Sequence, residues 1–160
     1  MRIGEIAIIS PIDTTKCDFI KAASDEIVMQ SQDFVFGRIY INSQLMVHLY
    51  GLNYNINGPN IPFDLLSKKI LGYIVLYNWE NNSSYSQIKT ILDSLANNYQ
   101  VPVVIAANLS QNSVPIPQQL INVDFNLSDY CDFAFYRTSD PASVKKVIVI
   151  LIDSILEKLN

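Results

Sequence analysis

The residues best placed to do chemistry stand together near the start of the chain. Ser10, Asp13, Thr14, Thr15, Lys16 and Cys17 span a polar turn between an apolar run and a helical pattern. A lysine and hydroxyls at the start of a helix suit an anion, because backbone N–H groups and the helix dipole converge there. The phosphate loop that exploits this geometry reads G-x-x-x-x-G-K-[ST]. Here the eight positions read Ser10-Pro11-Ile12-Asp13-Thr14-Thr15-Lys16-Cys17, and only the lysine matches.

These residues must be positioned by the elements around them. Ile3 to Ser10 is a continuous apolar run, the pattern of a strand buried on both faces of a parallel sheet. Phe19, Ile20, Ala22 and Ala23 then form one helical stripe. Polar residues around Gln30 to Gln32 mark a loop. Phe34 to Ile41 and Gln44 to Tyr50 read as the two strands of a hairpin about Asn42-Ser43. Gly51 to Pro62 reads as a loop, and Phe63 to Lys69 as a short helix at most. Leu71 to Tyr77, Val101 to Ala107 and Asp132 to Tyr136 are further strands. Ser84 to Asn98 is an amphipathic helix between the first two of these. Asp140-Pro141 opens a final helix with an N-cap and a first-turn proline. Its stripe is Val144, Val147, Ile148, Leu151, Ile152, Ile155, Leu156 and Leu159, and Val149 and Ile150 lie off it.

Strand and helix alternate, which predicts one α/β domain over residues 1–160 with helices on both faces of a mostly parallel sheet. Ligands on such sheets bind beyond the carboxyl ends of the strands. Composition bounds the function. A chain of 160 residues can bury roughly 70% of its unfolded surface in one core. Its net charge of −4 argues against a nucleic-acid partner. No apolar run approaches the length of a membrane span. Two cysteines, Cys17 and Cys131, and no secretory signal point to reduced thiols and a cytoplasmic location. One histidine, His48, offers no His-based metal set, and no metal site is expected.

The chain resembles the Ras-like small GTPases, and more narrowly the bacterial MglA-like group. Asp33-Phe34-Val35-Phe36-Gly37-Arg38-Ile39 is similar to that group's second strand, which tends to read D-F-G-R-I. Val47-His48-Leu49-Tyr50-Gly51 is similar to the end of its third. Leu65-Leu66-Ser67, Leu71-Gly72 and Ile74-Val75-Leu76 resemble its approach to the fourth strand. The resemblance implies a three-layer, P-loop GTPase-like fold with a six-stranded, mostly parallel sheet and one antiparallel strand. It also implies a roadblock-type regulatory dimer as partner, and GTP or GDP with Mg²⁺ as the ligand of an active member.

The departures fall on the nucleotide elements. Ser10 and Thr15 stand where glycines let the backbone approach phosphate, and Thr15 adds a branched side chain there. Cys17 replaces the Mg²⁺ hydroxyl, and a thiol suits that hard cation poorly. Asp13 adds a carboxylate that repels a triphosphate by ~1–4 kcal/mol at contact. Tyr54 and Asn55 stand where the family has a glycine and its water-orienting glutamine. Asn108 remains from N-K-x-D, but Leu109 and Gln111 replace the lysine and the guanine-reading aspartate. Arg137-Thr138-Ser139 matches no form of the fourth element. The expectation is a pseudo-GTPase, with weak or absent GTP binding, no hydrolysis and no cofactor, serving as an interaction or scaffold subunit. The alternative is a divergent GTPase that still uses Lys16 and Asn108. Tyr50, Tyr54, Asn55, Phe63 and Trp79 are the candidate interaction surface, since aromatic residues favour such patches.

Overall fold

The computed structural model describes residues 1–10, 15–31, 34–53, 69–79, 92, 101–109 and 131–159. Its elements are β1 (Arg2–Ser10), α1 (Thr15–Ala23), β2 (Glu26–Gln30), β3 (Phe34–Tyr40), β4 (Leu45–Asn53), β5 (Gly72–Asn78), β6 (Val103–Asn108), β7 (Cys131–Tyr136) and α2 (Pro141–Leu159). The predicted helix over 84–98 lies outside the described residues except for Leu92, and the short helix over 63–69 except for Lys69.

The strands form one seven-stranded sheet in the order β2-β3-β4-β1-β5-β6-β7. Only β3 runs against the others, pairing antiparallel with both β2 and β4. The expectation of one antiparallel strand holds, and the expectation of six strands does not. The extra strand is β2, whose five residues are all exposed. The loop expected around Gln30 to Gln32 overlaps only its end, and no element is expected over the residues before it; pairing with β3 makes the segment a strand. Its register slips between Ile27 and Met29, a bulge that twists the edge. A second difference lies in β4. The parallel ladder with β1 carries Gly51, Leu52 and Asn53 opposite Ile8, Ile9 and Ser10, so the strand extends past Tyr50.

Both faces of the sheet are buried. On one, Ile6, Ile8, Leu49, Ile74, Leu76 and Val104 pack beneath Phe19 and Ile20 of α1 and Val144, Val147, Ile148 and Leu151 of α2. Phe19 meets Tyr136 edge-on at 5.0 Å between centroids. On the other, Ala7, Ile9, Val75, Ile105, Phe133 and Phe135 form a second core against which Leu92 packs. This two-sided burial explains why β1, β5 and β6 read as unbroken apolar runs.

α1 sits close to β3 and β4 because Gly37 and Gly51 face it. A Cβ on Gly37 would collide with Ser24 Oγ and Ile20 Cγ2. α2 begins as expected, with Pro141 first and the Asp140 carbonyl accepting from Ser143 N–H at 3.0 Å. Its stripe is buried at Val144, Val147, Ile148, Leu151 and Ile155, but Leu156 is exposed, as is Val149. Leu156 thus leaves the predicted stripe, although Ile155 beside it stays buried in the core. Among the described residues no helix is long and apolar enough to cross a membrane.

Candidate functional site

The carboxyl ends of β1, β4, β5 and β6 meet on one edge of the sheet. The chain leaves β1 through α1 toward one side, and β5 follows β4 on the other side of β1. The crevice at the end of β1 is therefore the point where connections diverge, the usual ligand position of such folds. Ser10 closes β1 there, opposite Asn53 of β4. Asn78 of β5 pairs with Asn108 of β6.

Lys16 lies in the first turn of α1 and is 1% exposed. It is not the ordinary surface lysine its sequence context also permits. Its Cδ stands 3.5 Å from where a Cβ on Gly51 would be, so the aliphatic stem runs beside β4. Ser10 is fully buried, and among the described residues its Oγ has no hydrogen-bond partner; the same holds for Oδ1 of Asn108. Unpaired buried polar atoms are costly. Cys17 is a free thiol packed against the α1-side core. Asp13 and Thr14, like Tyr54, Asn55 and Phe63, lie outside the described residues, and Thr15 opens α1.

The ends of β6 and β7 are brought together. Trp79 N–H donates to the Asn108 carbonyl at 3.1 Å, and Leu109 N–H donates to the Tyr136 carbonyl at 2.9 Å. Arg137 Nε donates to the Leu109 carbonyl at 3.3 Å. Ser143 Oγ accepts from Arg137 N–H at 2.9 Å and has its one proton directed between the Asp140 and Arg137 carbonyls, at 2.7 and 3.0 Å. Arg137 and Ser143 thereby hold the turn after β7 against the end of β6. An open groove of about 560 Å³ runs between this turn and α1, lined by Asp18, Lys21, Ala22, Thr138, Ser139 and Pro141.

Trp79 packs against Phe135 and Phe133, with centroids at 5.0 and 6.2 Å, at the rim of the second core. Tyr50 is not at a strand end as expected. It lies inside β4 and projects from the sheet face opposite α1, stacked on Phe36 at 4.9 Å. Its hydroxyl donates to Glu5 Oε1 at 3.0 Å and stands 3.2 Å from His48 Nδ1. Since the phenol has one proton, its oxygen accepts from Nδ1–H, and neutral His48 has a bare lone pair at Nε2. Burial holds the imidazole below its ordinary pKa; the Arg38 charge acts the same way and Glu5 opposes both. Burial and the bond to Glu5 push the Tyr50 phenol up to about 12.

Within β4, His48 is satisfied on one side only: Nδ1 is bonded, while Nε2 is buried and without a partner among the described residues. Sequence reasoning missed this polar cluster. The signal was present in the alternation of Met46, His48 and Tyr50 along β4, and in Glu5 interrupting an apolar strand. The chain matches no protein-family model and no curated protein.

Proposed function

We propose that this protein is a degenerate Ras-like small GTPase, resembling the MglA-like group, that serves as a protein-interaction or scaffold subunit. The supporting observation is the sheet. Without the edge strand β2, six strands remain, one of them antiparallel, which is the architecture the resemblance implies. Leu92, within the segment expected to be helical, packs against the second core, and the turn after β1 is the relic of a phosphate loop. The donor set there does not suit Mg²⁺-nucleotide, because a thiol at Cys17 is a poor ligand for a hard cation.

The partner is a protein, with a roadblock-type dimer the one the resemblance implies. Calorimetric titration with GTP and GDP in the presence of Mg²⁺ is the test. No saturable binding in the micromolar range is expected, and micromolar affinity would overturn the reading. The burial of Lys16, together with the unpartnered Ser10 Oγ and Asn108 Oδ1, favours a second reading, a divergent GTP-binding protein. Phosphate release from GTP that Lys16→Ala abolishes would establish it.

A further inference from the structure

α2 carries two apolar stripes, and the sheet covers only one of them. Val144, Val147, Ile148, Leu151 and Ile155 are buried in the α1-side core. On the other side of the helix Val149 and Leu156 stand one heptad apart, 52 and 53% exposed. Exposed Ala142 lies one heptad before Val149, and exposed Lys145 and half-buried Ile152 fall between. Ala142, Lys145, Val149, Ile152 and Leu156 thus follow one another at alternating spacings of three and four, the pattern of a seam between two helices.

The charges along this seam are sorted by sign. Lys145 and Lys146 stand in the first half of α2, Asp153 and Glu157 in the second, and all four are exposed. None of them makes an ion pair among the described residues. Asp153 and Glu157, four residues apart, repel each other. Glu157 also lies in the last turn, where the helix carbonyls disfavour an anion; Lys158 is the basic residue that answers the dipole there.

We propose that α2 pairs antiparallel with α2 of a second copy of this chain, in a two-fold dimer. The seam is self-complementary on reversal: basic, apolar and acidic in one direction becomes acidic, apolar and basic in the other. Such a surface fits an isologous contact, in which one patch meets its own copy. With Val149 of one copy facing Ile152 of the other, Lys145 meets Leu156, whose side chain covers the lysine's aliphatic stem. Lys146 falls beside Asp153 on the same flank. Both acids of each helix then lie along the basic half of the other, and the two macrodipoles oppose. A parallel copy would set acid on acid and lysine on lysine. The 19-residue helix is about 28 Å long. One helix pair falls at the small end of specific interfaces, so the dimer dissociates on dilution. The pairing holds whether or not GTP binds.

Sedimentation equilibrium of the full chain from low to high micromolar concentration is the test. The mass is expected to rise from one chain toward two and no further, because a two-fold contact is closed. Leu156→Lys, at an exposed position, is expected to weaken the dimer about tenfold or more, since it sets a charge in the apolar seam. Lys146→Glu and Asp153→Lys are each expected to weaken it as well. Combined in one chain they restore the opposite-charge pair, and affinity is expected to return to within about threefold of the parent, the signature of coupled residues. Met29→Lys, on the exposed edge strand β2, is the control and is expected to change nothing. A monomer at every concentration overturns the proposal, as it would if the seam served a partner of different sequence. A dimer that resists Leu156→Lys, or that is lost in the Met29 variant, overturns it in favour of pairing along the β2 edge. A combined charge swap no tighter than either single variant overturns the antiparallel arrangement.

Discussion

Ile20 of α1 lies directly over Gly51 of β4, with its Cδ1 2.7 Å from the point a Cβ on Gly51 would occupy. Val35 Cγ1 is 2.5 Å from the same point, and Lys16 Cδ is 3.5 Å away. The missing side chain is what lets α1 approach the sheet and draws Lys16 down beside β4. Gly51→Ala is therefore expected to lower stability by about 1–3 kcal/mol through overpacking. Urea unfolding checks it, with Gly4→Ala as the control: the atoms nearest that added Cβ, at 3.6 and 3.9 Å, are ordinary contacts.

Tyr50→Phe removes a hydroxyl that serves two partners, and leaves Glu5 Oε1 and His48 Nδ1 without it. A loss of about 1–3 kcal/mol is expected for stranding such groups. The alkaline limb gives a second readout. The phenol ionises at 10.0 when unfolded and at about 12 in the fold. Its contribution is complete below the first value and falls as pH rises toward the second. The stability difference between the parent protein and Tyr50→Phe should shrink over that interval.

His48 works in the opposite sense. Its folded pKa lies below the ordinary 6.5, so the unfolded chain takes up the proton first as pH falls. Stability from the neutral imidazole is complete above 6.5 and is lost on acidification toward the lowered folded value. Melting temperature should drop through that window in the parent protein, and by less in His48→Gln. An identical slope in both would remove His48 as the cause.

Cys131 should be chemically quiet. Burial, with the neighbouring Asp132 charge second, pushes its thiol up to about 12. The thiolate is the reactive form, so native Cys131 is expected to alkylate with iodoacetamide far more slowly at mildly alkaline pH than after unfolding in urea. Peptide mapping by mass spectrometry follows the residue directly. Rapid native labelling would show that the side chain is not held in the second core.

Strands buried on both faces were legible because their apolar runs have one physical explanation. Ile3 to Ser10, Leu71 to Tyr77 and Val101 to Ala107 form β1, β5 and β6 with ends shifted by a residue or two. Asp140-Pro141 likewise marked the start of α2, since capping and proline chemistry are local. β2 was not legible, because its five residues are all exposed and it is held to β3 by backbone pairing and by exposed polar contacts of Glu26 with Arg38 and Tyr40. The end of β4 was obscured by Gly51, which reads as a turn residue but serves here as a gap for Ile20.

For the candidate site, the residue types at the turn after β1 establish by themselves that a phosphate loop's glycines and hydroxyl are absent and its lysine kept. No packing can restore a missing functional group. The burial of Lys16 depends on the tertiary structure, because it follows from α1 closing over two glycines that lie far from it in sequence. The row that Glu5, His48, Arg38 and Glu26 form across the sheet depends on it entirely. Those side chains come from four strands, and only the sheet register aligns them.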